Sequence, residues 1–95
     1  MIRRWGMFVF GKYTVEDMIE TFDASLGKMG FKREDSDDST IILWKGYDGW
    51  VEVKTYTLGE VVMASISVTN LGLRATIESL LPSDDDSCIS REWDD

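Results

Sequence analysis

The chain has 95 residues, with 18 acidic and 10 basic side chains, no histidine and one cysteine, so its formal net charge is -8. The missing histidine removes the side chain that most often serves as general acid or base and as transition-metal ligand. A strongly negative charge disfavours nucleic acids and anionic membranes as direct partners, because both repel it. The composition therefore favours a protein that binds a basic protein surface, and it disfavours an enzyme.

Length and hydrophobicity predict one packed domain, because 43% of the residues are hydrophobic and the chain is of single-domain size. We expect residues 1–82 to form this domain and residues 83–95 to form an acidic tail. Cys88 has no second cysteine with which to form an internal disulfide. The apolar stretch at residues 5–10 is too short for a signal peptide or a membrane helix. These features predict a cytoplasmic protein, in the host cytoplasm if the chain is viral.

Two elements are predicted in the first third of the chain. The short apolar run Trp5–Phe10 predicts a strand. A helix is predicted over residues 15–28, where Thr14 and Asp17 have the spacing of a capping box and Gly30 suits a left-handed C-terminal cap. Its apolar stripe consists of Val15, Met18, Ile19, Phe22, Leu26 and Met29.

Acidic side chains occupy the opposite side of this helix. Glu16 and Glu20 are one turn apart, about 6 Å, which is close to the spacing of successive phosphates along a nucleic-acid strand. The helix dipole gives an ordinary structural reason for acids near the N-terminus. Carboxylates at this spacing can also occupy a basic groove that normally holds DNA or RNA. We therefore predict that Glu16, Glu20 and Asp23 contact a basic partner.

The middle of the chain predicts a three-stranded meander. A strand is possible at residues 31–33, and residues 34–39 form an acidic loop. Three β-branched and aromatic segments follow, at residues 40–45, 50–57 and 61–69. The dipeptides Asp48-Gly49 and Leu58-Gly59 between them are typical of hairpin turns.

Strand register follows if both dipeptides form two-residue turns. Trp44 then lies opposite Val53, and Thr55 lies opposite Val62. All three strands then place apolar residues on one common face, which must lie under a helix because it is nearly all apolar. This agreement supports the register, because a one-residue slip would scatter these residues over both faces. That face carries Ile42, Trp44, Val51, Val53, Thr55, Val62, Ala64, Ile66 and Val68.

A second helix follows the meander. Asn70 can cap its start and Pro82 can end it, with Leu73, Ile77, Leu80 and Leu81 on one side. The element order β-α-(β)-β-β-β-α predicts an α+β fold of two layers. In it, an antiparallel sheet contains the meander and the N-terminal strand, and two helices pack on one sheet face.

The opposite face of the sheet has the composition of an interaction surface. It carries Trp50, Tyr56 and Met63, residue types in which protein interfaces are enriched. Lys45 is expected to pair with Glu52 across the first hairpin. The N-terminal strand, the tail or a second copy of the chain would cover this face, so a homodimer is possible.

The chain contains only weak matches to sequence motifs for catalysis, metal binding or phosphate binding. The acids from Asp35 onward resemble the start of a calcium loop, but Thr40 and Gly46 stand where that loop requires glycine and glutamate. Cys88 has no histidine to activate it, and no glycine-rich phosphate-binding motif occurs. We therefore predict no catalytic residue, no cofactor and no metal ligand.

Small acidic proteins from phages and mobile elements, including many anti-CRISPR and anti-restriction inhibitors, resemble this chain in size and charge. The resemblance is one of composition, and no residues are carried over from it. The favoured interpretation is a non-catalytic binding domain, in its sharpest form an inhibitor or nucleic-acid mimic. Asp84, Asp85, Asp86 and Trp93 of the tail are further predicted contacts. The alternatives are a subunit that self-associates through the sheet and a carboxylate-based cation binder.

Overall fold

The computed structural model describes residues 3–34, 36–69, 71–81 and 93–94. These residues form one antiparallel sheet and two helices. The strands are β1 (Arg3–Val9), β2 (Lys32–Glu34), β3 (Ile41–Gly46), β4 (Gly49–Leu58), β5 (Val61–Val68) and β6 (Trp93–Asp94), and the helices are α1 (Val15–Lys28) and α2 (Leu71–Leu80). The spatial order of the strands is β2-β3-β4-β5-β1-β6. The predicted α+β fold is confirmed, and the N-terminal strand lies in the same sheet, beside β5.

Both ends of α1 follow the predicted capping chemistry. The Thr14 hydroxyl accepts a hydrogen bond from the backbone N–H of Asp17 at 3.1 Å, and the Asp17 carboxylate accepts one from Thr14 N–H at 3.0 Å. Gly30 takes a left-handed conformation with φ of 87°. This turn lets Phe31 N–H donate to the Leu26 carbonyl at 3.0 Å, so the chain reverses directly into the sheet.

The core lies between the helices and one face of the sheet. Phe22 of α1 packs edge-to-face on Trp44 of β3, with ring centroids 5.2 Å apart. The other fully or almost fully buried hydrophobic residues are Met18, Leu26, Phe31, Val51, Val53, Ala64, Ile66, Val68, Leu73, Ile77 and Leu81. Met29, which was predicted to lie in the buried stripe, is exposed because it is the cap residue beyond the last turn of α1.

The first hairpin has a different register from the predicted one. Trp44 lies opposite Val51, not Val53, because the turn consists of residues 47–48. The glycine of the Asp48-Gly49 signal follows the turn instead of lying in it.

The second hairpin shows the same displacement of two residues. Thr55 lies opposite Ala64, not Val62, and the turn consists of residues 59–60. Gly59 still supplies the positive φ, at 63°, but in the first turn position. Because side chains alternate with a period of two, a displacement of two leaves each residue on its predicted face.

The predicted cross-strand pair of Lys45 with Glu52 is wrong for the same reason. Lys45 lies opposite Trp50, and Glu52 lies opposite Leu43. Glu52 instead approaches Lys54 of its own strand, with 3.8 Å between its Oε1 and the lysine Nζ. Both side chains are partly exposed, so this ion pair contributes little to stability.

The C-terminal part of the chain adds one short strand. Trp93 and Asp94 form β6 and pair antiparallel with Trp5 and Arg4 of β1, at the edge of the sheet. Asn70, Pro82 and the tail acids Asp84, Asp85 and Asp86 lie outside the described residues. The boundary between domain and tail stays a prediction. Neither helix in the described part of the chain is long and apolar enough to cross a membrane.

Candidate protein-binding surfaces

The structure places the predicted contact residues on two opposite sides of the molecule. Because α1 covers one sheet face, Glu16 and Glu20 are exposed on the outer side of the helical layer. Trp50, Tyr56 and Met63 lie on the other sheet face, here called the open sheet face, which neither described helix covers. One flat partner surface cannot contact both sides at once.

The outer side of α1 carries two exposed carboxylates, and the first of them, Glu16, lies in the first helical turn, where the helix dipole also favours an acid. Glu16 and Glu20 are exposed and make no hydrogen bond or ion pair within the described part of the chain. Together with Ile19, Asp23 and Ala24 they line a shallow, open groove. Asp17 differs from them, because its carboxylate is engaged in the capping box. The outer side of α1 can therefore offer Glu16 and Glu20 to a partner without any rearrangement.

Asp23 is engaged in the fold. Its Oδ1 accepts a hydrogen bond from the indole N–H of Trp44 at 2.7 Å and lies 3.3 Å from Nε of Arg33. The Trp44 ring is buried, so its N–H needs an acceptor, and Asp23 supplies one. Asp23 thus joins α1 to β3 and β2, and its carboxylate is less available to a partner than those of Glu16 and Glu20.

A crevice that the sequence did not predict lies beside this surface, between α1 and the loop from β2 to β3. Its volume is about 350 Å³. Its apolar lining includes the half-buried Ile19 and Ile42, and its carboxylates are Glu16, Glu34 and Asp38. The crevice depends on how an irregular loop packs against a helix, and no local sequence pattern encodes that.

Asp38 is held in one orientation by the loop. Its Oδ1 accepts hydrogen bonds from the backbone N–H of Thr40 at 2.9 Å and from the Thr40 hydroxyl at 2.6 Å. These hydrogen bonds favour the charged carboxylate and lower the pKa of Asp38 below its ordinary value. The crevice therefore has one exposed carboxylate that Thr40 orients and whose charged form the same hydrogen bonds favour.

The most exposed apolar side chains of the open sheet face lie at one end of it. Tyr56 lies directly opposite Met63, and Tyr56 and Val61 are 46% and 44% exposed. Trp50 is half-buried at the other end of β4, six residues or about 20 Å from Tyr56. The structure therefore brings Tyr56 and Met63 together and leaves Trp50 apart. The side chain of Trp93, another predicted contact, lies outside the described part of the chain.

Within the described ranges, no group of three or more His, Cys, Asp or Glu residues is arranged to hold a metal ion. Asp35 of the calcium-like loop and Cys88 lie outside those ranges.

Comparisons of this chain with protein-family models, curated proteins and solved structures found no match. Function is therefore inferred from the charge, exposure and shape of the surfaces described above. The outer side of α1 offers unpaired carboxylates, and the open sheet face offers a small apolar patch.

Proposed function

We propose that this protein is a non-catalytic binding domain that docks through the outer side of α1 onto a basic surface of a partner protein. The main support is the pair Glu16 and Glu20, which are exposed, one turn apart and without partners in the described part of the chain. A net charge of -8 would attract a basic surface over a distance and accelerate encounter.

The most specific version of this proposal is that the partner is a nucleic-acid-binding protein and that this domain inhibits it. A groove that binds a phosphate backbone presents arginine and lysine side chains at intervals suited to successive phosphates. Carboxylates about 6 Å apart on a rigid helix can occupy the same positions. Inhibitors encoded by phages and mobile elements, of the anti-CRISPR or anti-restriction kind, are the class of protein this proposal favours. The tail acids and Trp93 stay predicted additional contacts.

The experiment compares two charge reversals of equal size. Wild-type protein is immobilised, cell lysate is passed over it in low salt, and the protein released by high salt is identified and purified. Glu20→Lys changes the proposed surface, and Glu60→Lys makes the same charge change at the exposed β4–β5 turn. Neither glutamate makes an ion pair in the described part of the chain.

The proposal predicts that Glu20→Lys slows association at least tenfold, whereas Glu60→Lys slows it less than threefold, because only Glu20 lies at the contact. It is contradicted if both variants bind alike, or if no protein is released by salt. Asp23 is left unchanged, because its reversal would remove the acceptor of the Trp44 N–H.

The open sheet face supports a second candidate function, self-association. Tyr56 and Val61 are nearly half exposed and lie beside Met63, on a face that neither described helix covers. A twofold contact between two such patches would bury the apolar end of both sheets. The molar mass in solution tests this candidate, and it does so independently of docking through α1, because the two surfaces lie on opposite sides of the molecule.

A further inference from the structure

One end of the open sheet face carries a contiguous apolar patch, here called the Tyr56 patch. Tyr56 lies opposite Met63, Leu58 lies opposite Val61, and Val9 of β1 lies opposite Met63 on its other side. Leu58 is 71% exposed, and Tyr56 and Val61 are nearly half exposed. Apolar side chains that are neighbours and exposed together are typical of an interface.

Charges of opposite sign lie at the two ends of the Tyr56 patch. Lys54 precedes Tyr56 on the same face of β4, and its only ion pair in the described part of the chain is the weak one with Glu52 at 3.8 Å. Glu60 is exposed in the turn beyond Leu58 and makes no ion pair there. The four residues from Lys54 to Leu58 span about 14 Å. The patch therefore runs from a base to an acid.

This charge order makes the Tyr56 patch complementary to itself. In a twofold dimer of two stacked sheets, the β4 strands run either parallel or antiparallel across the interface. The parallel arrangement would place Glu60 against Glu60 and Lys54 against Lys54. The antiparallel arrangement places Lys54 of one subunit against Glu60 of the partner subunit at both ends of the patch. The charges therefore select the antiparallel arrangement.

The net charge of -8 does not oppose this contact, because little of it lies on the open sheet face. Charges of both signs are equal in number among the described side chains of this face and its turn, which are Lys32, Lys45, Lys54, Glu34, Glu52 and Glu60. The acidic outer sides of the two α1 helices would lie roughly 30 Å apart, one on each side of the stacked sheets. Salt screens charges beyond about 8 Å at physiological ionic strength, so their repulsion is weak.

We propose that a second copy of this chain covers the Tyr56 patch, in a twofold dimer whose β4 strands run antiparallel across the interface. The two apolar patches bury each other, and the two pairs of Lys54 with Glu60 of the partner subunit fix the orientation. One consequence rests on the proposed function. Because the two α1 surfaces face away from each other, one dimer can dock onto two partner molecules at once.

The test measures molar mass against concentration by light scattering and sedimentation. A small patch supports a dimer of micromolar affinity, so the mass should rise from 10.8 kDa toward twice that value up to about 500 µM. Lys54→Glu should weaken the dimer about tenfold, because both ion pairs become repulsive. Glu60→Lys should do the same. The double variant Lys54→Glu/Glu60→Lys exchanges the two charges and should return the affinity to within about twofold of wild type.

Lys32→Glu is the matched control. It makes the same charge change as Lys54→Glu on the same face, at the end away from the Tyr56 patch, and it should weaken the dimer less than about twofold. Circular dichroism checks that each variant folds. The inference is overturned if wild-type protein stays monomeric at the highest concentration, if the double variant is as weak as Lys54→Glu, or if Lys32→Glu weakens the dimer equally.

These results can be told apart from those on the proposed function. Glu20→Lys should leave the dimer mass unchanged, because Glu20 lies on the opposite side of the molecule. A monomer whose docking depends on Glu20 would refute only the dimer, and a dimer whose docking ignores Glu20→Lys would refute only docking through α1. A monomer that loses its captured partner on Tyr56→Glu would show that another protein covers the patch, which would also overturn this inference. One partner molecule per dimer would refute the double docking.

Discussion

Replacing Asp23 with alanine tests whether this carboxylate belongs to the fold. The change removes the acceptor 2.7 Å from the Trp44 indole N–H, and Trp44 is only 1% exposed. A buried donor left without a partner costs roughly 1–3 kcal/mol. The ion pair with Arg33 adds about 0–1 kcal/mol at most, because its side chains are 39% and 46% exposed. We expect Asp23→Ala to lower the free energy of unfolding by about 2 kcal/mol.

Two control variants separate the hydrogen bond from the charge. Asp23→Asn keeps an oxygen for the Trp44 N–H and should cost less than about 1 kcal/mol. Glu20→Ala removes an exposed acid of the same helix and should change stability by less than about 0.5 kcal/mol. Urea denaturation, followed by tryptophan fluorescence and circular dichroism, measures the free energy of unfolding of Asp23→Ala and of both controls. For a domain of this size, 2 kcal/mol corresponds to a fall in Tm of roughly 8–16 °C.

One result would refute this reasoning. If Asp23→Ala were as stable as Glu20→Ala, the hydrogen bond from Trp44 would not support the fold. Asp23 would then be as available to a partner as Glu16 and Glu20, and it would belong in the charge-reversal experiments.

Four further outcomes are expected from the described structure. Gly27→Ala should stabilise the protein by about 0.5–1 kcal/mol, since a Cβ there meets nothing within 4 Å and glycine is unfavourable inside a helix. Gly46→Ala should destabilise it by about 1–3 kcal/mol in the same denaturation assay, since its Cβ would lie 2.7 Å from the ring of Phe31. NMR titration should place the pKa of Asp38 below the ordinary 3.8, so any stability from its charged form is present at higher pH and is lost as pH falls through that lowered pKa. Light scattering should give twice the monomer mass of 10.8 kDa if the open sheet face self-associates, and Tyr56→Glu should halve that mass, whereas a wild-type mass of 10.8 kDa would contradict self-association.

The faces of the sheet could be predicted from the sequence, but the hairpin registers could not. Alternating apolar residues assign Trp44 and Val53 to the buried face whatever the turn, because the side-chain period is two. The register depends on which two residues form each turn. Glycine at Gly49 and Gly59 is compatible with more than one choice, so both predicted registers differ from the structure by two residues.

The position of Asp23 on the acidic side of α1 could be predicted, but its hydrogen bond with Trp44 could not. Helical periodicity separates Glu16, Glu20 and Asp23 from the apolar stripe. It contains no information about Trp44, which lies 21 residues beyond Asp23 and reaches it only when β3 packs under α1. One available signal was the buried tryptophan itself, whose N–H requires an acceptor on the helix above it. The crevice had no comparable signal.

The dependence of the association rate on salt tests the central proposal most directly. The partner captured in low salt is mixed with wild-type protein and with the Glu16→Lys/Glu20→Lys variant over a range of salt concentrations. We predict that the wild-type rate falls steeply as salt rises, and that the variant associates more slowly with a flatter dependence. Equal slopes for the two proteins, or a wild-type rate independent of salt, would contradict the proposal that the carboxylates of α1 form the binding surface.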